Sequence, residues 1–418
     1  MTLIDYAKRV FRYGPKGLKI WADIKLGEFK SKRFLIKNAK TRKTKTERGV
    51  TLVGPFSGPG SLSKTMRDLL LSVHETGIPY QTFSGGGEED PTGSNALNLL
   101  TPMSDFNIRK YSLVLDFFNG IVPNDLVPNI ATIIFWEFED GFLPVYPAFK
   151  KKKHVVGMSD FVVDIMRNQL PSSTKVSKLL YPFRHSFGNV PDRMEMRKRF
   201  GIPEDAFVVF FNFNFASGFA RKNPDGAMRA FAAAFRNDPH AFLLFKTSRA
   251  DEFRQRAEFL SRLATELGIQ NRFAMINDHI SSLEIYGLTN ACDAYLSLHR
   301  GEGFGLGVAE AMSLGVPVVV SDYSATTEFC NKENSMPVPC KVVAPAPGQN
   351  DYLTYSYVTK WAEPDISAAA DCLRRIRTDS ALREQIKSNA KRYIAEHFSP
   401  QNFKASLESL LDSLPTTA

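Results

Sequence analysis

The chain of 418 residues is 43% hydrophobic and 23% charged, a composition that excludes a disordered or fibrous protein. Its four cysteines lack the paired spacing of a zinc site or a disulfide framework, which indicates a reducing, cytoplasmic setting. No apolar run is long enough to span a membrane, the first residues lack the apolar stretch of a secretion signal, and the length predicts two domains.

The positive charge is concentrated in a basic N-terminal arm, residues 1–48. This arm contains fifteen Lys or Arg and four Asp or Glu, a local net charge of +11, so the +9 of the whole chain leaves −2 for the other 370 residues. Apolar and aromatic side chains such as Phe11, Trp21 and Phe34 are mixed with the cations. The mixture favours peripheral contact with an anionic membrane surface. A solvated tail or a helix packed on the body is the alternative, and nucleic acid is not expected because no nucleic-acid-binding signature accompanies the charge.

The first domain is predicted at residues 49–183. A β-branched run at 50–53 is followed by a glycine-rich loop and by a helix at 62–75, and this order opens a doubly wound α/β domain. Buried strands are predicted at 111–118, 131–135, 155–157 and 179–183, and a helix begins at 160. The segment 184–191 is predicted to be the linker.

A second α/β set is predicted at residues 192–380. Its apolar runs predict strands at 207–213, 242–245, 273–276, 294–298 and 316–320, and the intervening segments predict helices at 225–235, 252–267, 282–288, 307–314 and 366–377. A further helix at 381–396 opens the C-terminal helix and tail, residues 381–418. Because strands and helices alternate on both sides of the linker, the sequence predicts two Rossmann-like α/β/α domains facing a cleft.

The segment 299–315, HRGEGFGLGVAEAMSLG, combines a glycine-rich turn with a helix start. Glycine lets the backbone approach a ligand, and a helix N-terminus presents backbone amides and a partial positive charge, which suits phosphate. The dinucleotide fingerprint does not fit, because its third glycine would fall on Leu306 or Val308, and the Walker lysine is missing. Glu302 and Glu310 would be repelled by a phosphate, so they need a polar task such as accepting hydrogen bonds from sugar hydroxyls. A surface residue and a plain helix charge are the alternatives.

This segment resembles the hallmark of glycosyltransferase family 4, two glutamates separated by seven residues in an EGFGL…EAM context. Other segments resemble the family in the expected order, over roughly residues 50–400. They are WEFEDGFLP (136–144), MSDFVVDIM (158–166), RKNPDGAMRAF (221–231), LLFKTS (243–248), NACDAYLSLHR (290–300), GVPVVVSDYSATTEF (315–329) and KWAEPD (360–365). The resemblance implies the GT-B fold, with C-terminal helices packing back toward the first domain, and a retaining hexosyltransferase that uses a nucleotide-sugar donor.

The resemblance also implies roles for residues of the second domain. Glu302 contacts hydroxyls of the transferred sugar, Glu310 holds the ribose diol, and Lys222 neutralises the diphosphate. Family members often place an arginine after the first strand of this domain, where this chain reads FFNFNFASGF, and Arg221 is the expected substitute. The remaining donor-binding candidates fall into three groups. Asn277 and Ile280 are expected beside the nucleobase, and the Lys246 side chain either reaches the phosphates or only ends its strand. The third group is the backbone amides of Gly303, Phe304, Gly305, Leu306 and Gly307.

On the acceptor side, the first-domain loop of Gly58, Gly60 and Ser61 is expected to leave room for the diphosphate and acceptor. Many family members carry a histidine near the sugar where this chain has Trp136-Glu137, so Glu137 is the candidate catalytic residue there. Arg300 is expected to support Glu302.

The resemblance implies that the nucleoside diphosphate departs while an acceptor hydroxyl attacks from the same face, with a leaving phosphate oxygen as base. No metal or other cofactor is expected, because no Asp-x-Asp occurs in the chain and cationic side chains with helix amides can stabilise the phosphate charge. The acceptor is expected to be a glycan or lipid-linked hydroxyl in cell-surface polysaccharide or lipopolysaccharide synthesis. A sugar-nucleotide epimerase on the same fold and a non-catalytic binder of sugars or polyanions are the alternatives.

Overall fold

The structure is a computed structural model that describes residues 29–40, 46–58, 60–84, 95–117, 122, 127, 129–184, 189–346, 349 and 357–415. The chain divides into two compact units. Unit 1 comprises Met1–Phe135, Phe142–Arg184 and Pro400–Ala418, and unit 2 comprises Trp136–Gly141 and His185–Ser399. The segment 136–141, which the sequence assigned to the first domain, is therefore part of unit 2.

Unit 1 is built on a six-stranded parallel sheet of order β2-β1-β3-β4-β5-β6. The strands are β1 (Glu47–Gly54), β2 (Tyr80–Ser84), β3 (Tyr111–Phe117), β4 (Ile130–Ile134), β5 (His154–Gly157) and β6 (Lys175–Lys178). The helices are α1 (29–40), α2 (Ser61–Thr76), α3 (Phe142–Val145) and α4 (Asp160–Gln169). The first strand lies between β2 and β3, so the strand order reverses at β1 and the loop after β1 leaves the sheet at this switch point.

The last strand of unit 1 differs from the sequence prediction. The sequence placed it at 179–183, but the structure places β6 at Lys175–Lys178, paired with β5. This strand reads KVSK and none of its four residues is buried, as suits a polar edge strand. Leu179 and Tyr181, which suggested a strand, are buried by packing instead, and the Tyr181 hydroxyl lies 2.8 Å from the Thr65 hydroxyl.

Residues 29–40 of the basic arm form a helix, α1, that packs on the rest of unit 1. Leu35 and Ala39 of α1 are buried, and the Phe34 ring stacks on Phe83 with centroids 5.5 Å apart. Asn38 donates its Nδ2–H to the carbonyl oxygen of Phe106 (2.9 Å) and accepts the backbone N–H of Ile108 (2.9 Å). For residues 29–40 the structure therefore favours the docked-helix alternative, whereas residues 1–28 and 41–45 lie outside the described residues.

Unit 2 is built on a second six-stranded parallel sheet of order β12-β11-β10-β7-β8-β9. Its strands are β7 (Phe207–Asn214), β8 (Ala241–Ser248), β9 (Phe273–Ile276), β10 (Ala294–Ser297), β11 (Val318–Ser321) and β12 (Met336–Val338). The antiparallel pair β13 (Cys340–Val343) and β14 (Trp361–Pro364) forms a small separate sheet. The helices are α5 (Arg193–Arg199), α6 (Phe219–Lys222), α7 (Pro224–Ala234), α8 (Arg254–Glu266), α9 (Ser282–Asn290), α10 (Leu306–Leu314), α11 (Ile366–Thr378) and α12 (Ser380–His397).

The strand order of unit 2 is that of a dinucleotide-binding Rossmann domain. Read from the β9 edge, the six strands follow the order 3-2-1-4-5-6, so the connection reverses between β7 and β10. In such sheets ligands bind outside the carboxyl ends of the strands at the reversal. The apolar runs of β7 and β8 are buried on both faces of the sheet, as expected for a parallel sheet covered by helices.

The chain returns to unit 1 at its end. The last helix, α13 (Pro400–Asp412), packs against α2 and β6, and the Ser406 hydroxyl accepts the backbone N–H of Leu180 at 2.9 Å. Its apolar face is formed by Phe403, Leu407 and Leu410, which are buried. None of the described helices combines the length and hydropathy needed to cross a membrane.

Candidate active site

The candidate site lies where unit 2 reverses its strand order. The segments that follow β7 and β10 meet there, because neighbouring parallel strands end at the same edge of the sheet. The segment after β7 contributes Arg221 and Lys222 from α6, and the segment after β10 contributes Glu302 from the glycine-rich loop. Three residues that the sequence singled out separately are thus brought into contact.

Asn223 fixes the cationic segment against the glycine-rich loop. Its backbone is in the left-handed region at φ 56°, a conformation that costs energy for a residue other than glycine. Its Nδ2–H donates to the carbonyl of Leu298, the residue just after β10 (2.8 Å), and its Oδ1 accepts the Gly226 N–H of α7 (3.1 Å). These two bonds hold the end of α6 beside the start of the glycine-rich loop, residues 301–305, which we call the donor loop after the role that the sequence predicts for it.

Glu302 forms ion pairs with both cations. Its carboxylate contacts the Lys222 ammonium, and its Oε1 lies 3.2 Å from Nη1 of Arg221. Burial by itself would raise the pKa of Glu302, but Lys222 and Arg221 outweigh it and lower that pKa to about 2. Burial lowers the pKa of Lys222, while Glu302 opposes this shift. At neutral pH the arrangement is therefore a partly buried pairing of opposite charges.

Arg221 is buried more deeply than Lys222 and is held by the backbone. Its guanidinium donates to the carbonyl oxygens of Gly301 (2.8 Å) and Ser217 (2.8 and 3.1 Å). A second carboxylate, that of Glu137, lies 3.7 Å from Nη2. Two cations and two carboxylates therefore form one group, the charge cluster: Arg221, Lys222, Glu302 and Glu137.

Neighbouring protein atoms leave no room for a side chain at three glycines of the donor loop. A Cβ on Gly301 would collide with the Glu137 carbonyl oxygen, and one on Gly303 would lie 3.0 Å from the Trp136 carbonyl oxygen. Gly305 has φ 93°, and its Cβ would collide with a methyl group of Thr326. The loop thus packs directly on segment 136–141, which places Glu137 beside Arg221.

The helix α10 starts immediately after this loop. Gly305 is its N-cap, and its carbonyl accepts the N–H groups of Val308 and Ala309 (3.0 and 3.1 Å). Glu310 is buried in the second turn. Burial, and to a smaller extent the charges of Glu310 and Glu302, raise the pKa of Tyr295. The Phe304 side chain packs against Phe329 and Phe398, so Phe304 offers only its backbone to a ligand.

The other donor-side candidates lie on the β8–β9 side of the sheet. Lys246 of β8 is paired in register with Asn212 of β7 and with Ile276 of β9, and its Nζ donates to the Thr247 carbonyl at 2.6 Å. The Asn277 Oδ1 accepts the backbone N–H of Ala250 (3.0 Å). Ile280 is half-buried in the segment before α9. The structure does not place these three residues in the charge cluster.

The candidate acceptor loop belongs to unit 1. Gly58 has φ 105°, and its carbonyl accepts an N–H from Arg67 at 3.0 Å. Gly60 faces open space. Ser61 is the first residue of α2, and its side chain lies outside the described residues.

One supporting residue, Ser324, was not identified from the sequence. Ser324 adopts φ 65° and accepts the Glu302 backbone N–H on its hydroxyl at 2.9 Å; a serine in a loop gives no local signal of this. Arg300 was expected to support Glu302, and this prediction is wrong: its guanidinium pairs with both carboxylate oxygens of Glu363 at 2.7 and 2.8 Å. Among the described residues no group of three His, Cys, Asp or Glu is arranged to hold a metal ion.

Sequence comparison agrees with this geometry. The model of the family described as glycosyl transferases group 1 matches residues 192–354, the segment that contains the charge cluster except Glu137. Residues 192–354, called the group 1 segment below, are therefore similar to this family. A D-inositol 3-phosphate glycosyltransferase 1 from Catenulispora acidiphila is 32% identical over 135 residues, which are 31% of each protein. The chain therefore spans about a third of the length of this curated relative.

Solved structures similar to this chain show the fold of most of it. HepE from Anabaena, in complex with UDP-glucose, has a TM-score of 0.66 at 14% identity and covers 88% of this chain and 100% of its own. A glycosyltransferase from Rickettsia africae has a TM-score of 0.62 at 12% identity, covering 89% and 100%. Sucrose-phosphate synthase from Thermosynechococcus elongatus has a TM-score of 0.62 at 14% identity, covering 88% and 98%. The group 1 segment is thus part of a GT-B fold, as predicted.

Proposed function

We propose that this chain is a retaining glycosyltransferase that moves a hexose-type sugar from a UDP- or GDP-sugar to a hydroxyl of a glycan or lipid-linked acceptor. The observation that carries the proposal is the contact of Arg221, Lys222 and Glu302 at the strand-order reversal of unit 2. This position is the usual ligand site of a Rossmann-like domain, and it offers cations for a diphosphate beside a carboxylate for sugar hydroxyls.

Each residue has a distinct task in this proposal. Lys222 and Arg221 stabilise the charge that develops on the departing nucleoside diphosphate, together with the N-terminal amides of α10. Glu302 orients the sugar through its hydroxyls, and Glu310 holds the ribose. Glu137 faces the transferred sugar from segment 136–141. The acceptor hydroxyl attacks on the face from which the diphosphate leaves, and a phosphate oxygen takes its proton.

A ligand panel followed by a product assay tests this function. Thermal unfolding of the whole chain is measured with UDP, GDP, ADP and, as a control, inorganic phosphate, because a ligand that binds the folded state raises the apparent midpoint. We expect UDP or GDP to raise it, and UDP is the first candidate because the Anabaena relative was solved with UDP-glucose. A midpoint unchanged by all nucleotides contradicts the proposal.

The product assay separates the alternatives. With the nucleotide sugar selected by the panel, a transferase releases nucleoside diphosphate and an elongated acceptor. An epimerase converts the donor sugar instead. A non-catalytic binder raises the thermal midpoint and leaves the donor unchanged. Only the first result supports transfer.

The proposed acceptor is presented at an anionic membrane surface, and α1 is the described surface that supports this. Leu35 and Ala39 anchor the helix in unit 1, while Phe29 is 62% exposed. Its exposed cations are Lys30, Lys32, Arg33, Lys37 and Lys40. A docked helix with an exposed ring among cations suits acidic headgroups.

Co-sedimentation with vesicles tests the membrane contact. Deleting residues 1–48 would remove buried side chains of unit 1, so charge substitutions are the cleaner change. We expect at least tenfold weaker binding to acidic vesicles after three substitutions, since each cation near the surface contributes about 1 kcal/mol. The test triple is Lys30→Gln, Lys32→Gln and Arg33→Gln, and the control triple is Lys332→Gln, Arg392→Gln and Lys404→Gln. Equal binding by both triples and wild type contradicts the contact.

A further inference from the structure

The charge cluster is already neutralised by the protein itself. Its two cations, Arg221 and Lys222, face two carboxylates, those of Glu302 and Glu137. An incoming diphosphate needs the same cations, and a carboxylate that stays beside it repels it. Binding of a diphosphate therefore competes with the existing ion pairs.

We propose that Glu302 holds the diphosphate-binding cations in the free protein and leaves them only when sugar hydroxyls are present to receive its carboxylate. This inference rests on the proposed function, since it takes the ligand to be a nucleotide sugar. It makes Glu302 a discriminator between two ligands that share the diphosphate. The donor carries its own replacement partner for Glu302, whereas the nucleoside diphosphate product does not.

The local geometry allows the side chain to exchange partners without moving the loop. The backbone of Glu302 is fixed on both sides, because its N–H donates to the Ser324 hydroxyl (2.9 Å) and its carbonyl accepts the Ala325 N–H (3.2 Å). The exchange is therefore a change of side-chain rotamer. Lys222 is the cation able to follow a ligand, since its side chain is 20% exposed, whereas that of Arg221 is 4% exposed and bonded to two backbone carbonyls.

The energetic asymmetry follows from burial. When Glu302 releases Lys222, its carboxylate must find other hydrogen-bond donors, because an unpaired buried carboxylate is strongly disfavoured. Sugar hydroxyls are such donors. With the product, the carboxylate either keeps Lys222 and repels the phosphates or loses Lys222 with no sugar hydroxyl to replace it. Either outcome weakens product binding and favours its release after transfer.

Inorganic pyrophosphate is the probe for this exchange, because it carries the diphosphate charge without sugar or base. Calorimetric titration compares wild type with Glu302→Gln, which keeps the shape of the side chain and removes its charge. We expect pyrophosphate to bind about tenfold more tightly to the variant. Glu137→Gln should give a smaller gain, because Glu137 lies farther from Arg221 than Glu302 does.

A matched control removes a carboxylate from another ion pair of unit 2. Glu252 pairs with Arg249 on the surface, and both side chains are about half exposed, so Glu252→Gln should leave pyrophosphate binding unchanged. Pyrophosphate affinity that is unchanged or lower in Glu302→Gln overturns the inference. If Glu302→Gln fails to fold, as judged by its thermal midpoint, Glu302→Ala is titrated instead with the same expectation.

A second titration measures discrimination directly. UDP-glucose and UDP are titrated into wild type and Glu302→Gln, or GDP-mannose and GDP if the panel selects guanine. We expect wild type to prefer the sugar nucleotide and the variant to lose at least tenfold of that preference, through tighter binding of the diphosphate and weaker binding of the donor. An unchanged preference overturns the inference.

The outcomes distinguish the two proposals. If wild type binds the nucleotide but Glu302→Gln does not change pyrophosphate affinity, the exchange is wrong and the donor site stands. If no nucleotide binds wild type while pyrophosphate binds the variant more tightly, the charge competition stands and the proposed donor is wrong.

Discussion

His299 is a buried histidine that makes the stability of the folded protein depend on pH. It lies directly before the donor loop, and its ring nitrogens lie within 3.3 Å of the Ser297 hydroxyl, the Thr326 hydroxyl and the Tyr323 carbonyl. Burial, opposed in part by Glu302, lowers the pKa of His299 to about 4. The neutral ring is therefore the form that the fold accommodates, as expected for a structural residue rather than a proton carrier.

The direction of the pH effect follows from proton uptake. An unfolded chain protonates this histidine near pH 6.5, whereas the folded chain does so only near pH 4. Between these values the unfolded state binds more protons, so stability is fully present above pH 6.5 and falls as the pH drops toward 4, by about 3 kcal/mol in total. Urea unfolding at pH 7, 5.5 and 4 should show a flatter decline for His299→Gln than for wild type. Parallel declines would contradict this role.

At the scale of the element, the turn into α10 depends on two properties of Gly305. Its φ of 93° disfavours a side chain, and a Cβ there would also collide with Thr326. Gly201 is a matched control, because it has φ 63° with nothing within 4 Å of its Cβ position. We expect Gly201→Ala to cost about 1 kcal/mol of unfolding free energy through its backbone, and Gly305→Ala to cost about 1–3 kcal/mol more through overpacking.

Denaturant unfolding and nucleotide titration of the two glycine variants check this. Gly305→Ala should also bind the nucleotide more weakly, since the start of α10 would shift, whereas Gly201→Ala should bind like wild type. Equal losses of stability in the two variants would show that the Thr326 contact has no consequence.

The elements that the sequence predicted are those with strong local signals. Phe273–Ile276 was predicted with the observed bounds, and the strand at 207–213 differs from β7 by one residue, because short apolar runs bounded by polar or glycine residues are typical of strands. The edge strand β6 was missed because its polar sequence lacks such a run. The contact of Lys222 with Glu302 follows from two strands that meet at the reversal point, and separate family-like motifs suggested both residues.

Pairings between distant segments had no local signal. Arg300 and Glu363 are 63 residues apart, and no sequence feature near either residue predicts that they pair. The left-handed backbone of Ser324 depends on the packing around it, so the local sequence does not predict this conformation. The same holds for segment 136–141, where Glu139 bonds the Tyr323 hydroxyl (3.0 Å) and pairs with Lys360 (2.5 Å). These contacts explain why the segment belongs to unit 2.

At the scale of the whole molecule, the chain crosses between its two units more than once. Segment 136–141 belongs to unit 2, where it packs against the donor loop, and α13 returns to unit 1 after α12. Neither unit is therefore a continuous stretch of sequence, and the group 1 segment 192–354 accounts for only part of unit 2. Functional tests consequently need the full chain.

The central claim is that Lys222 neutralises a donor diphosphate at the strand-order reversal of unit 2. Calorimetric titration of the nucleoside diphosphate chosen by the ligand panel into full-length wild type, Lys222→Ala and the surface control Lys387→Ala tests it most directly. We expect Lys222→Ala to bind at least tenfold more weakly, since a charge-assisted hydrogen bond contributes about 1.5–3 kcal/mol, and Lys387→Ala to bind like wild type. Wild-type affinity in a folded Lys222→Ala variant would contradict the account.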